Sequence, residues 1–293
     1  MATVLRSLPT EVRSHSRPKT PSRQRVRIGL AMAIVGGLMW HASLRTPSGP
    51  AHGTALQGAV TEAASVSGPL RIGTFNIHGA RGLDGKRDLD RIAKSLEGFD
   101  VIGLQEIHGV QDATLRDQAD MLGEKLGMAW LFAPSVRQWH YYDFGNGILS
   151  RSPVIDWQRI PLERQTGKTY HNVLLVRVLH QGQPIQVLIT HVHRRDEAER
   201  QAQLRAVIAL FQSLDEPAIL MGDLNSNAAD PQMAALLATP GVLDASAGVS
   251  SPEGAARIDW ILTRGLKTRS AGIEHTGASD HPFLWAELEI AAP

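Results

Sequence analysis

Short polar clusters follow apolar runs at several points in this chain, and their side chains suit phosphate and metal chemistry. In Met221-Gly-Asp-Leu-Asn225 an apolar run stops at a glycine, and Asp223 and Asn225 lie two residues apart. In an extended chain such residues face the same side. A carboxylate and an amide there could hold a water molecule, a hard cation or a phosphate oxygen. The alternative is a plain turn after a strand, because Asp and Asn favour turns.

Glu106 ends a second apolar run, which begins at Val101. A charged side chain at the end of a buried strand needs a partner or a metal ion, unless the strand end is exposed. Oxygen ligands suit magnesium or manganese, whereas zinc prefers histidine or thiolate. The chain has no cysteine, which excludes a thiolate metal site, a disulfide scaffold and a cysteine nucleophile. The sequence therefore predicts Mg²⁺ or Mn²⁺ as the cofactor.

A histidine and an aspartate occupy two later strands. His281 follows Asp280 at the start of the last predicted strand, and Asp259 lies in an otherwise apolar segment. A buried aspartate is costly without a partner, and a histidine that binds phosphate or moves protons needs a group that fixes its tautomer. We therefore predict that Asp259 pairs with His281. The alternative places Asp259 at an edge, facing water.

His191 ends the apolar run Val187–Thr190, and His193 follows two residues later. Two histidines in this spacing could bind zinc. Such pairs more often mix core, surface and substrate contacts. We favour His191 as a contact to the phosphate or the leaving group, and the role of His193 stays open.

The elements that must position these residues are many strands with helices grouped between them. This order is typical of two packed sheets with helices outside. Because strand ends in a rigid sandwich bring together side chains from distant parts of the chain, they are suitable places for a site. Hydrophobic periodicity predicts helices at Asp88–Leu96, Asp112–Leu126 and Asp196–Leu214, and strands at Leu70–Ile77, Val101–Gln105, Asn146–Ser150, Val173–Leu179, Ile185–Thr190, Ala218–Met221, Arg257–Leu262, Thr268–Ile273 and Phe283–Leu288.

These motifs, in this order, resemble the endonuclease/exonuclease/phosphatase (DNase I-like) superfamily, and the chain is similar to its compact bacterial members. The resemblance covers residues 70–293 and implies an α/β (α+β) domain, a four-layer αββα sandwich of two packed mixed sheets. The matching segments are Thr74-Phe-Asn-Ile-His78, Leu104-Gln-Glu-Ile107, Gly145-Asn-Gly-Ile-Leu-Ser-Arg151, Thr190-His191, Gly222-Asp-Leu-Asn225, Arg257-Ile-Asp259 and Ser279-Asp-His281.

The resemblance also implies a metal centre and a substrate cradle. Glu106 matches the main metal ligand, assisted by Asn76, and Asp280 matches a second carboxylate on the metal side or one that organises the site. Asn76, Asn146 and His191 match substrate-binding positions. His191 is the histidine of the DNase I, sphingomyelinase and 5-phosphatase branches.

The remaining matches imply the catalytic groups. Asp223 matches the residue that orients or deprotonates the attacking water, with Asn225 beside it. His281 matches the histidine that binds phosphate or acts as a base, and Asp259 matches its orienting partner. Donors from Asn76, Asn225, His191 and His281 would stabilise the negative charge of the transition state.

The N-terminal part of the chain differs from the rest in amino-acid composition. Residues 1–27 carry seven basic groups against one acid and are predicted to be disordered. Residues 28–44 are mostly apolar, which is typical of a signal peptide or a signal-anchor helix and indicates contact with a membrane. The positive-inside rule then places the following chain outside the cytoplasm, either anchored at the cytoplasmic membrane or periplasmic or secreted. Residues 45–69, rich in small residues, read as a linker.

Charge helps to rank the possible functions. Without residues 1–27 the chain has 23 basic and 28 acidic residues, a formal charge of −5, which disfavours nonspecific binding of long DNA. The leading prediction is an enzyme, a metal-dependent phosphodiesterase or phosphatase acting outside the cytoplasmic membrane on a lipid head group or small phosphoester. The alternatives are a secreted or periplasmic endonuclease acting on nucleic acid, and a membrane-tethered binding protein without turnover. No protein partner is inferred.

Overall fold

The computed structural model describes residues 23–43, 50–60, 68–109, 116–138, 142–162, 171–249 and 256–291. The chain divides into two compact units, Met1–Ser43 and Leu44–Pro293. The predicted basic segment before Arg23, much of the predicted linker and the start of the helix predicted from Asp112 lie outside the described residues.

The described part of the first unit is one helix, α1 (Arg23–Ser43), with 21 residues. It begins inside the basic segment 1–27 and covers most of the apolar segment 28–44. Its apolar side chains, among them Leu30, Met32 and Leu38, are exposed. Within the described residues no helix is long and apolar enough to cross a membrane, so the membrane contact predicted for residues 28–44 is not supported.

The described part of the second unit contains two mixed sheets and four α-helices. The helices are α2 (Leu89–Ser95), α3 (Gln118–Leu126), α4 (Glu197–Ser213) and α5 (Pro231–Leu237). The strands are β1 (His52–Gly53), β2 (Leu70–Asn76), β3 (Val101–His108), β4 (Ala129–Gln138), β5 (Tyr142–Ser150), β6 (Val154–Leu162), β7 (His171–His180), β8 (Gln183–His191), β9 (Ala218–Asp223), β10 (Leu243–Asp244), β11 (Asp259–Arg264), β12 (Leu266–Glu274) and β13 (Phe283–Ile290).

Each sheet contains one parallel pair of strands. The first sheet has the order β12-β13-β2-β3-β5-β4, and the second has the order β1-β6-β7-β8-β9-β11-β10. The parallel pairs are β2 with β3 and β8 with β9. Parallel neighbours need a crossover connection, and α2 and α4 lie in these two connections. The carboxyl ends of the parallel strands carry Asn76, Glu106, His191 and Asp223, so the topology positions the predicted site.

Three apolar clusters separate four layers. One lies between the sheets and includes Ile72, Ile189 and Met221. A second packs α2 and α3 on the first sheet, with Ile92 and Leu122 at its centre. The third packs α4 and α5 on the second sheet. Its members on these two helices are Leu204, Val207, Phe211, Met233 and Leu236. The predicted four-layer αββα sandwich is therefore confirmed.

An aspartate caps the start of each of the helices α2 to α5. The carboxylates of Asp88, Asp117, Asp196 and Asp230 each accept a backbone N–H of the first turn. This is the usual way of satisfying donors that lack a partner at a helix start. Two of the predicted helices begin at these caps. The third, within the described residues, begins at Gln118 with Asp117 as its cap, and its predicted start at Asp112 lies outside those residues.

Residues 50–60, which the sequence assigns to a linker, pair with strands of the second unit. β1 pairs with the edge of β6, and Gln57 exchanges two backbone hydrogen bonds with Trp130. The Trp157 indole also donates to the carbonyl of Ala55. Backbone groups at a sheet edge need partners, and this segment supplies them. The sequence did not predict β4 or β6, since neither alternates cleanly between apolar and polar residues.

Gly222 permits the close approach of β8 and β9 beside the site, and its replacement should be costly. Its φ is +142°, and a Cβ there would lie 2.0 Å from the carbonyl oxygen of Thr190. Gly222→Ala should lower the free energy of unfolding by about 3 kcal/mol or more, as strain and overpacking add. Urea denaturation measures this loss.

The control is Gly241→Ala. Gly241 also has a positive φ, +83°, but a Cβ there would meet open space. This variant carries backbone strain without the collision and should lose about 1 kcal/mol. Equal losses for both variants would show that the contact with Thr190 contributes nothing.

Candidate active site

Side chains from the two parallel pairs meet where the sheets face each other. The Asn76 amide nitrogen donates to Glu106 Oε1 and to Asp223 Oδ2, both at 3.1 Å. Asn76 and Asp223 are buried, whereas the Glu106 side chain keeps a quarter of its surface exposed. The structure thus joins the predicted metal ligand Glu106 to the predicted water-orienting residue Asp223 through one amide.

Backbone irregularities aim two of these side chains. The pairing of β3 with β5 shifts register between Leu104 and Ile107, and Glu106 within this bulge has φ of +55°. Asn225 has φ of +46°, and its N–H donates to Asp223 Oδ1 at 2.9 Å. Left-handed backbone at a residue other than glycine costs about 1–3 kcal/mol and is concentrated at functional sites. The strain here falls on residues that the motifs singled out.

His281 and Asp259 form the predicted pair. His281 Nδ1 lies 2.9 Å from Asp259 Oδ2, and its Nε2 lies 3.7 Å from Asp223 Oδ2. Burial alone would lower the pKa of His281, but the hydrogen bond to Asp259 and the charges of Asp259 and Asp223 raise it to about 9. Burial raises the pKa of Asp259. At neutral pH the pair is an ion pair, with an imidazolium whose Nε2 faces the cluster.

His191 also lies beside Asp223. Its Nε2 is 3.5 Å from Asp223 Oδ2 and 4.0 Å from Glu106 Oε1. Its Nδ1 is buried and has no hydrogen-bond partner among the described residues. His193 does not join it as a chelating pair. His193 Nδ1 instead lies 3.3 Å from His171 Nε2.

Three predicted residues have surroundings that their motifs did not indicate. Asp280 Oδ1 lies 3.3 Å from His78 Nδ1, at the surface. Asn146 is buried, and its amide donates to the main-chain and side-chain oxygens of Asn172. Asn225 donates through its side chain to the carbonyl of Val192, which ties the segment after β9 to the segment after β8.

Sequence reasoning missed a polar layer at the start of β7. Asn172 donates to the carbonyls of Ala133 and Pro134, and its own carbonyl accepts from Thr190. His171 Nδ1 lies 2.7 Å from the carbonyl oxygen of His191. A His-Asn pair directly before a buried apolar strand was the available signal, because buried polar groups must find partners.

The donor set fits a hard divalent cation. Carboxylate oxygens of Glu106 and Asp223 converge on one amide, and Asp259 Oδ1 is buried without a hydrogen-bond partner in the described part of the chain. Asp223, Asp259 and His281 also offer three ligand atoms within 4.8 Å of one another. Since His281 Nδ1 is already paired with Asp259, the oxygen-rich side at Glu106 suits magnesium better.

The amide of Asn76 is turned away from direct ligation. Its Oδ1 accepts the backbone N–H of His78 at 3.2 Å, which leaves Nδ2 facing the two carboxylates. Ligation through Oδ1 would require this amide to rotate. In the orientation described, Asn76 positions Glu106 and Asp223.

His171 should make the stability of the protein depend on pH. Burial, with the charges of neighbouring histidines, lowers its pKa from 6.5 to about 3. Below pH 6.5 the unfolded chain takes up a proton that the folded chain refuses until about pH 3. This site should therefore lower the free energy of unfolding by up to about 1.4 kcal/mol per pH unit as pH falls below 6.5.

Urea denaturation of wild type and His171→Asn at pH 7, 6 and 5 measures this effect. The variant should be less stable at pH 7 but lose less stability on acidification. His52→Asn, at an exposed position, is the control and should keep the slope of wild type. Equal slopes for wild type and His171→Asn would contradict the assignment.

Solved structures with a similar fold come from bacteria and from humans. An endonuclease/exonuclease/phosphatase from Beutenbergia cavernae is 24% identical, with a TM-score of 0.66 over 77% of this chain and 72% of that one. The human nocturnin catalytic domain with bound sulfate is 20% identical, with a TM-score of 0.58 over 76% and 95%. A mannosyl-6-phosphatase from Bacteroides thetaiotaomicron is 16% identical, with a TM-score of 0.60 over 75% and 100%. No curated protein matches the chain.

These likenesses establish the fold, and a family model establishes the family. The model described as endonuclease/exonuclease/phosphatase family matches residues 73–281. The matched span includes Asn76, Glu106, Asp223 and His281, the residues that the strand ends bring together. The chain belongs to the endonuclease/exonuclease/phosphatase family.

Proposed function

We propose that this protein is a divalent-metal-dependent hydrolase of phosphoester bonds. The observation that carries the proposal is the convergence of Glu106 and Asp223 on Asn76, with the His281–Asp259 ion pair next to Asp223. The carboxylates can bind a cation, and the neighbouring imidazoles can donate to the phosphate oxygens. Together they complement the negative charge that develops during phosphoester hydrolysis. Two of the similar solved structures, a mannosyl-6-phosphatase and a nocturnin catalytic domain with bound sulfate, agree with such a site.

A cation bound at Glu106, with Asp280 and a rotated Asn76 as further ligands, would neutralise phosphate charge and stabilise the leaving oxygen. Manganese would serve as well as magnesium, because both accept oxygen ligands. The substrate phosphate would lie against the same face of the cluster.

The protein side chains would activate the attacking water and bind the phosphate. Asp223 is buried, and its Oδ2 faces both histidines, so it is placed to accept a hydrogen bond from the attacking water and to take its proton. Asn225 holds Asp223 Oδ1 through its N–H. His281, kept protonated by Asp259, donates to a phosphate oxygen. His191 Nε2, which lies 3.5 Å from the same oxygen of Asp223, would contact the phosphate or the leaving group.

A small phosphoester is the proposed substrate class. A cavity of about 280 Å³ opens beside His281 and Asp259, and its walls include Ile258, Ile273 and Arg194. This volume suits a head group or a small organic ester. The −5 formal charge of the chain after residue 27 disfavours a long polyanion.

A substrate panel tests the proposal. The purified protein with Mg²⁺ or Mn²⁺ is assayed on bis-p-nitrophenyl phosphate, p-nitrophenyl phosphate, phospholipid vesicles and plasmid DNA. We expect turnover of a small ester or a lipid head group that stops when EDTA is added. Faster cleavage of plasmid DNA would favour the endonuclease alternative. Binding of phosphoesters without turnover of any of them would favour a binding protein.

We also propose that the chain acts outside the cytoplasm. The support is the basic residues 1–27, followed by the helix α1 with its exposed apolar side chains. A reporter that works only in the cytoplasm, fused after Pro293, should be inactive. Activity of that reporter would overturn the export proposal without affecting the proposed chemistry.

A further inference from the structure

Two histidines beside the candidate site form an arrangement that the proposed hydrolysis does not use. His171 begins β7 and is buried, and His193 follows β8 and is half-buried. His171 Nε2 and His193 Nδ1 are 3.3 Å apart, and the two rings meet edge to face at 85°. The motif His191-Val-His193 is thus split, because one histidine faces the carboxylates and the other faces His171.

We propose that His171 and His193 form a binding site for a transition metal ion of the zinc class, with water completing the coordination. Zinc binds imidazole nitrogens at 2.0–2.1 Å in a tetrahedral arrangement, which places two ligand nitrogens about 3.3–3.4 Å apart. The observed separation of 3.3 Å matches that spacing. The separation of the two nitrogens would therefore allow the ion to take the place of the shared proton.

The tautomer of His171 is already set for a metal. His171 Nδ1 lies 2.7 Å from the carbonyl oxygen of His191. A carbonyl only accepts, so Nδ1 carries the proton and the lone pair of the neutral ring is on Nε2, which faces His193. A ligand histidine usually donates its other N–H to a carboxylate or carbonyl in this way, which fixes the ring and raises its basicity.

His193 is held by its backbone. Its N–H donates to Gln203 Oε1 of α4 at 3.0 Å, and the Gln203 amide donates to Glu199 Oε1 at 2.9 Å. Gln203 and Glu199 are both buried. The backbone at His193 is therefore held in place before any ion binds, which reduces the entropy lost on binding.

The proposed site is chemically distinct from the oxygen cluster at Glu106. It offers two nitrogens and no carboxylate, which suits zinc, copper or nickel and not magnesium. His191 lies between the two places, with its Nε2 toward Asp223 and its ring centroid 5.5 Å from that of His171. One protein would then hold two cations of different kinds.

Calorimetric titration of the full chain with zinc chloride tests this proposal. The variant is His193→Asn, at the half-buried position. The control is His52→Asn, at an exposed position that is far in sequence from His171 and His193. Loss of a supporting hydrogen bond to a metal ligand weakens binding by about 10- to 100-fold, and loss of a ligand should cost at least about tenfold. Wild type and both variants keep Glu106, so any zinc bound there contributes equally to all three titrations and does not affect the difference between them.

We expect His52→Asn to bind zinc as wild type does, and His193→Asn to lose one binding event or to bind about tenfold more weakly. Thermal denaturation without metal confirms that the variants are folded. A crystal of wild type soaked in zinc should show anomalous density between His171 Nε2 and His193 Nδ1. Unchanged titrations in His193→Asn, or a soaked crystal with zinc only at Glu106, would overturn the proposal and leave the proposed hydrolase function intact.

Discussion

Replacing His281 with alanine is expected to lower kcat for a phosphodiester by about 100- to 10,000-fold, the range of a positioned proton donor. The reason is geometric and electrostatic. His281 carries a proton held by Asp259 at 2.9 Å, and its Nε2 faces Asp223. Steady-state kinetics with bis-p-nitrophenyl phosphate measure the loss, and the melting temperature shows whether the fold survives.

The pH profile separates this role from a structural one. With a pKa near 9 for His281, activity should decline as pH rises through about 9, because the imidazolium loses the proton that it donates. Asp259→Asn removes the negative charge that raises this pKa, so the decline should move to lower pH. A high-pH limb that is identical in wild type and Asp259→Asn would show that His281 does not act as the proposed donor.

Replacing Glu106 with glutamine is expected to remove most metal-dependent activity, with a loss of about 1,000-fold or more, since a metal ion contributes several kcal/mol to the transition state. Glutamine keeps the size of the side chain and an oxygen but loses the negative charge. Activity should recover partly at high Mg²⁺ concentration, because the variant weakens binding of the cation. Rates measured over a series of Mg²⁺ concentrations show this change.

Glu124→Gln is the matched control for this substitution. Glu124 is exposed and pairs with Arg116 on the surface of α3, so its loss should leave kcat and the Mg²⁺ dependence unchanged. A Glu106→Gln enzyme with the same Mg²⁺ dependence as Glu124→Gln would place the cation elsewhere. Asp223, Asp259 and His281, whose ligand atoms lie within 4.8 Å of one another, would then be the next candidates.

Individual site residues illustrate what pattern alone can predict. Asp259 lies in an apolar strand, and the cost of an unpaired buried carboxylate predicts a partner for it. The structure supplies His281, which is 22 residues away in sequence. Glu106 was predicted at the end of a buried strand, but the bulge and φ of +55° that turn its side chain were not predictable. A bulge depends on the partner strand, and sequence pattern does not specify that partner.

The polar clusters are what the sequence by itself determined about this protein. Apolar runs ending in Asn76, Glu106, His191 and Asp223 predict strands with chemically useful ends, because alternation and turn residues are local properties. The same reasoning correctly predicted a sandwich with helices outside.

Only the tertiary structure decided which of these residues meet. Two parallel pairs, one in each sheet, place four carboxyl strand ends at one edge, so Asn76 contacts Asp223 across 147 positions of sequence. The tertiary structure also places the His193 ring against His171 rather than beside His191. Such pairings arise from crossover connections and from the burial of polar groups between sheets, and both are set by long-range packing rather than by local sequence.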